Sequence, residues 1–148
     1  MTTNEGKMNA IVINQYGDEN VLTPQQVDIP TINANQLLVK VQSIGVNPID
    51  WKTRKGLRQK RYPFDFPIIL GQEMAGTVVK TGEATTGFKV DDEVIGYGTP
   101  SNRGTYAEYY AIDADQALTN HQAFRLKKQR AWGWPELPRG KPSLMPAN

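Results

Sequence analysis

The stretch LLVKVQSIGVNPIDWKTRKG, residues 37–56, changes its period halfway along. From Gln36 to Ile44 it alternates, with Leu37, Val39 and Val41 on one face and Leu38, Lys40 and Gln42 on the other. A two-residue period of this kind belongs to a strand with one buried side. At Asn47 the alternation stops. Asn at an N-cap, Pro48 at the first helical position and Asp50 in the first turn are the signals of a helix start. A carboxylate there also suits the positive end of the helix dipole. The helix is short and ends near Gly56.

Outward from this stretch the chain reads as strands and turns. A strand begins near Met8 with Ala10–Ile13, Tyr16–Asp18 turns, and a second strand covers about Val21–Ile29, where Pro24 marks an edge position. Arg58–Pro67 is an irregular loop rich in base and aromatic residues. Strand signals resume at Met74–Lys80, Asp92–Gly96 and Thr105–Ile112, punctuated by glycines from Gly71 to Gly104. Many short strands with one short helix predict a mainly β fold, a partly open barrel or sandwich. No G-x-G-x-x-G follows a strand and strands do not alternate with helices, so the 148 residues contain no dinucleotide-binding (Rossmann) pattern.

Charge divides the chain at the same place as pattern. Residues 1–120 hold 11 Lys+Arg against 14 Asp+Glu, a net of −3, and residues 121–148 carry a net of +5. The basic balance therefore belongs to the tail, and the mildly acidic body argues against a nucleic-acid partner. There is no cysteine, and the single histidine is His121. Disulfides, a thiolate nucleophile and a metal site of the Cys/His type are thereby excluded from the body. The start is polar, with no apolar leader, and no run reaches membrane-spanning length, so the expectation is a cytoplasmic chain without a membrane partner.

Four segments in register carry a family resemblance: MNAIVINQYG (8–17), LVKVQSIGVNPIDWKTRKG (38–56), FPIILGQEMAGTVV (66–79) continued by FKVDDEVIG (88–96), and GTYAEYYAI (104–112). Together they resemble the N-terminal catalytic domain of the zinc-independent medium-chain dehydrogenase/reductases, the quinone oxidoreductase and zeta-crystallin group. The resemblance implies a GroES-like barrel over residues 8–119. It also implies a parent enzyme that moves hydride from NADPH to a small quinone or enone, in a cleft between this domain and a cofactor domain.

Zinc alcohol dehydrogenases of the resembled superfamily place Cys where the Asn47 region lies, and a His-Glu pair after the glycine at Gly71. Here those positions read Asn47 and Gln72-Glu73. Carbonyl polarisation then falls to hydrogen-bond donors instead of a Lewis acid. The resemblance puts Asn47 beside the nicotinamide as a cofactor-binding residue. Lys52, facing the same cleft, is the catalytic candidate, an ammonium that stabilises the enolate formed as hydride arrives. Each also has a plain structural reading, Asn47 as a cap and Lys52 as a solvated helix residue.

Other residues are read more plainly. Asp50 completes the helix start, and Glu73, without a metal, has a structural hydrogen-bond role, with cleft lining as the lesser reading. Tyr97, Tyr106, Tyr109 and Tyr110 are core or rim aromatics that could also line a substrate cleft. Arg54, Lys55, Arg58, Lys60 and Arg61 make a solvated, mobile basic loop, with attraction of an anionic cofactor as the lesser reading. Asp91 stands where the resembled family has a turn glycine, and Asp tolerates left-handed geometry better than most residues.

The last residues, from about Asn120, break the pattern. Back-translated and read one base earlier, Trp132-Gly133 forces Gly and Trp134-Pro135 forces Ala. With free codon choice elsewhere, residues 120–143 can then read KPSSLSFEEAASLGLAGITAWQAL, which resembles the family's passage into its cofactor domain. Residues 120–148 are therefore expected to be a frameshifted, disordered tail, and the chain alone inactive and without tight NADPH binding. The alternative is a GroES-like binding or regulatory module that is not an enzyme.

Overall fold

The computed structural model describes residues 6–122. The described residues form eight strands, β1 (Lys7–Ile13), β2 (Thr23–Asp28), β3 (Gln36–Gly45), β4 (Ile68–Ile69), β5 (Glu73–Thr81), β6 (Glu93–Tyr97), β7 (Tyr109–Asp113) and β8 (Ala117–Thr119), with a short helix, α1 (Pro48–Arg54), between β3 and β4. They form a three-stranded sheet in the order β2-β1-β4 and a five-stranded sheet in the order β7-β3-β5-β6-β8. The fold is mainly β and GroES-like, and no Rossmann domain is present among the described residues.

The alternation read in residues 36–44 is realised in burial. Leu37 and Val39 are fully buried in β3, opposite Val78 of β5 and Tyr110 and Ile112 of β7, whereas Lys40 and Gln42 are exposed. These residues, with Met74 and Val94, make the larger core cluster. A second cluster gathers Met8, Ala10 and Val12 of β1 with Ile69, and a third gathers Ile13, Ile68 and Leu70 beneath Tyr16 and Phe64.

Several boundaries differ from those read in the sequence, for local reasons. The start expected at Val21 is a 3-10 turn over Glu19–Val21, because the Asp18 carboxylate takes the Asn20 N–H at 3.0 Å and turns the chain. Pro24 does sit on an edge strand, β2. The strand expected over Thr105–Ile112 begins only at Tyr109. Before it, the chain threads between the two sheets: Tyr106 O accepts from Ile11 N, Glu108 N donates to Asn9 O, and Glu108 O accepts from Val41 N. Bonded twice to β1, with one bridge between Ala107 and Ala10, and once to β3, residues 106–108 close the barrel without extending either sheet. The loop expected over Arg58–Pro67 is in part wound into successive turns over residues 55–61. Strands β4 and β8 are too short to show a period. Residues 123–148, on which the frameshift reading falls, lie outside the described residues.

Candidate active-site face

Strand β3 delivers the chain to α1 through Val46 and Asn47. Asn47 is the extended N-cap and Pro48 opens the helix. The Asp50 carboxylate accepts the Asn47 N–H at 2.9 Å, the returning arm of a capping box. The Asp50 N–H is itself held at 2.9 Å by the Asn47 backbone carbonyl. The Asn47 side chain is thus not the main closure of the turn. Its Nδ2 is buried and has no hydrogen-bond partner among the described residues.

Asp50 does more than start a helix. Only 4% exposed, it also accepts the Tyr106 hydroxyl at 2.9 Å, pinning α1 to the segment that threads between the sheets. Burial first, and then the neighbouring carboxylate, hold the Tyr106 phenol well above the ordinary range, so it remains a neutral donor. The pattern around Asn47 foretold Asp50 but gave no sign of Tyr106, which lies 56 residues away.

Lys52 is the fifth residue of α1. It is exposed, and its Nζ sits 5.6 Å from the centre of the Trp51 ring. The structure thus presents a covered amide at the N-cap of α1 and a solvent-borne ammonium more than one turn further on.

The positions after Gly71 complete this end of the barrel. Gly71 has φ +95, and a Cβ there would run into Thr105 and Tyr106, so this turn needs glycine. Gln72 is buried, and its Nε2 donates to the Gly98 carbonyl at 2.9 Å. Glu73 stands opposite Gly45 in the β3–β5 ladder, and its carboxylate lies where a Gly45 side chain would be. It makes no side-chain hydrogen bond among the described residues, so the structural hydrogen-bond role expected for it is not seen. Its ladder partner Gly45 lies two residues before Asn47, which sets Glu73 at the same end of β3. Tyr97 pairs with Glu73 across β5–β6, is exposed, and points its hydroxyl at Gln72 Oε1, 3.4 Å away. Tyr109 and Tyr110 belong elsewhere, lining a cavity of about 320 Å³ with Gln36, Arg103 and Asp113 at the far end of β3. Among the described residues no group of three or more His, Asp or Glu converges.

A β-barrel whose long third strand turns through Asn-Pro into its one helix, beside a glycine-held Gln-Glu pair, is the N-terminal domain of a medium-chain dehydrogenase/reductase. The chain belongs to the alcohol dehydrogenase GroES-like domain family, whose model matches residues 33–122. It is similar to a chloroplastic quinone-oxidoreductase homolog of Spinacia oleracea, 37% identical over 103 residues, covering 69% of this chain and 31% of the relative. Among solved structures it is similar to the quinone oxidoreductase of Coxiella burnetii, with TM-score 0.69 and 29% identity over 76% of this chain and 37% of that one. The Escherichia coli quinone oxidoreductase complexed with NADPH gives TM-score 0.65 and 28% identity over 75% and 32% of the two chains. The chain spans about a third of the length of the relatives it matches.

Proposed function

We propose that this chain is the substrate-side half of an NADPH-dependent reductase of quinones or enones that works without zinc. The observation that carries the reading is Asn47 Nδ2, a buried amide donor without an acceptor at the mouth of the β3–α1 turn. Leaving such a donor unpaired costs about 1–3 kcal/mol, so an acceptor arriving there is favoured. The carboxamide oxygen of a nicotinamide fits that requirement. NADPH, when bound, supplies the hydride.

Lys52 holds an ammonium where the oxygen of the acceptor becomes negative, and stabilises that charge as it develops. For an enone the hydride adds at the β-carbon, the resulting enolate is paired with Lys52, and a proton from water at the α-carbon completes the saturated ketone. For a quinone, hydride plus a proton gives the hydroquinone. Gln72, at the position where zinc relatives have histidine, holds the Gly98 carbonyl instead of a metal. Small-molecule substrates, no nucleic-acid partner and a cytoplasmic location complete the proposal, although the spinach relative is described as chloroplastic.

Hydride transfer needs the nicotinamide held in fixed contact with the acceptor. In nicotinamide enzymes of this kind a glycine-rich turn supplies most of the cofactor affinity, and these 148 residues contain none. The chain alone is therefore expected to give negligible NADPH oxidation with a simple quinone or enone. Reading residues 120–143 in the shifted frame, with the downstream sequence restored, is expected to bring turnover back. In that restored enzyme Lys52→Ala should lower kcat by about 10²-fold with a smaller change in NADPH affinity. Robust turnover by the 148-residue chain would overturn the half-site reading. A restored enzyme indifferent to Lys52→Ala would overturn the role given to the lysine. A restored chain that neither binds nor oxidises NADPH would favour the non-enzymatic module.

A further inference from the structure

We infer that the outer side of α1 and the turns after it form a docking surface for an anionic lipid bilayer. From Trp51 to Phe64 the chain carries Lys52, Arg54, Lys55, Arg58, Lys60 and Arg61 and no acidic residue. Arg54 is turned inward, its side chain 11% exposed and 4.0 Å from the Glu19 carboxylate. Four of the others frame two aromatic rings. The Lys52 and Lys55 ammonium groups lie 5.6 and 5.7 Å from the centre of Trp51, and the Arg58 and Arg61 guanidinium groups 4.4 and 5.5 Å from that of Tyr62. Among these cations Leu57 stands 67% exposed and Trp51 43%.

The surface is built by the fold. Leu57 N donates to Lys52 O, Gln59 N to Gly56 O, and Arg61 N and Tyr62 N both to Arg58 O. Gly56 turns the chain at φ +76 against the Tyr16 ring. An aliphatic and an indole ring set among cations match a charged interface. The apolar groups seat at the boundary of headgroup and acyl chain, while the charged heads of Lys and Arg reach the phosphate layer. A soluble phosphate would answer the cations and leave Leu57 in water. A nucleic acid would seek an open aromatic face, and Tyr62 is flanked by two guanidinium groups. The proposal concerns attachment to a surface, distinct from crossing a membrane; Lys52 belongs to the proposed catalytic site, and the docking surface rests on Lys55, Arg58, Lys60 and Arg61 with Trp51 and Leu57.

The test is cosedimentation of the whole 148-residue chain with phosphatidylcholine vesicles, with or without about 30% phosphatidylserine. It is run at about 50 mM and about 500 mM NaCl, to span strong and weak screening. Because residues 121–148 are also basic, Lys60→Glu/Arg61→Glu and Leu57→Ser are compared with Lys127→Glu/Lys128→Glu, each checked for native circular dichroism. The expected result is binding to anionic vesicles only and release at high salt. Affinity should fall at least about tenfold for the double charge reversal and several-fold for Leu57→Ser, and stay unchanged in the Lys127/Lys128 variant. No binding, equal binding to neutral vesicles, loss confined to the Lys127/Lys128 variant, or tighter binding of the same surface to duplex DNA would overturn the inference.

Discussion

The two ends of β3 are finished in opposite ways. At the Gln36 end polar groups are matched: Gln36 Nε2 donates to Asp113 at 2.9 Å, Gln36 O accepts from Gly82 N at 2.7 Å, and Gln36 Oε1 accepts from Asn33 N. At the Asn47 end Asn47 Nδ2, Arg54 Nε and Thr105 Oγ1 are buried without partners, the set of such atoms among the described residues. Asn47 caps α1, Arg54 ends it, and Thr105 begins the segment pinned to it through Tyr106. Buried polar groups are nearly always paired, so a concentration of orphans at one end separates scaffold from site. Asp50, bonded twice, is the peg that lets the open end be unsatisfied and still be held in place.

The largest expected effect comes from pulling that peg. Asp50→Ala leaves both the Asn47 N–H and the Tyr106 hydroxyl without their acceptor, at a cost of about 2–5 kcal/mol in denaturant unfolding. Amide exchange should quicken across α1 and Thr105–Glu108 before it quickens at Gln36–Val39. Equal loosening of both ends would break the contrast drawn here. Tyr106→Phe removes one of the two bonds to the same carboxylate and should cost about 1.5–3 kcal/mol. A Tyr106→Phe chain as stable as the wild type would mean that α1 is held by packing alone.

Alkaline pH probes the other side of the comparison. The Tyr110 phenol, buried in the larger core, is pushed up to about 12 by burial and then by Asp113. A value raised in the folded state gives stability that is complete below the ordinary phenol range, near 10, and is lost as pH climbs through the folded value. Stability should therefore decline between roughly pH 10 and 12, by on the order of 1–2 kcal/mol from this group. Tyr110→Phe should flatten that decline in a pH series of urea melts. An unchanged slope would place the alkaline sensitivity at Tyr106 instead.

What the sequence could show followed the range of each interaction. The β3 alternation, the Asn47-Pro48-Asp50 helix start and the edge position of Pro24 rest on neighbouring residues and can be read from the text, whereas the left-handed Asp91, at φ +74, is reached through the family resemblance. The Asp50–Tyr106 bond, the threading of Thr105–Glu108 between sheets and the placing of Glu73 over Gly45 join residues far apart in the chain, and no local period encodes them. The four tyrosines show the same limit. Identical in type and alternating along strands, they divide into Tyr97 at the open face, Tyr106 at the peg, and Tyr109 and Tyr110 at the far cavity. Only the tertiary fold distinguishes them.

The smallest expected effect is the one that most sharpens the distinction between scaffold and site. An Asn N-cap replaced by Ala ordinarily costs about 0.5–2 kcal/mol, because a side-chain oxygen that closes the first turn is lost. Here the Asp50 N–H is already held by the Asn47 backbone carbonyl, which Ala would keep, and Nδ2 stands buried without a partner. Removing an unpaired donor returns part of its desolvation cost and offsets the loss of the cap. Asn47→Ala should therefore shift stability by less than about 0.5 kcal/mol in urea. In the enzyme restored to the shifted frame, the same change should weaken NADPH binding by about tenfold, the equivalent of one hydrogen bond. A large loss of stability with unchanged NADPH affinity would return Asn47 to the scaffold and leave the open end of β3 without its cofactor contact.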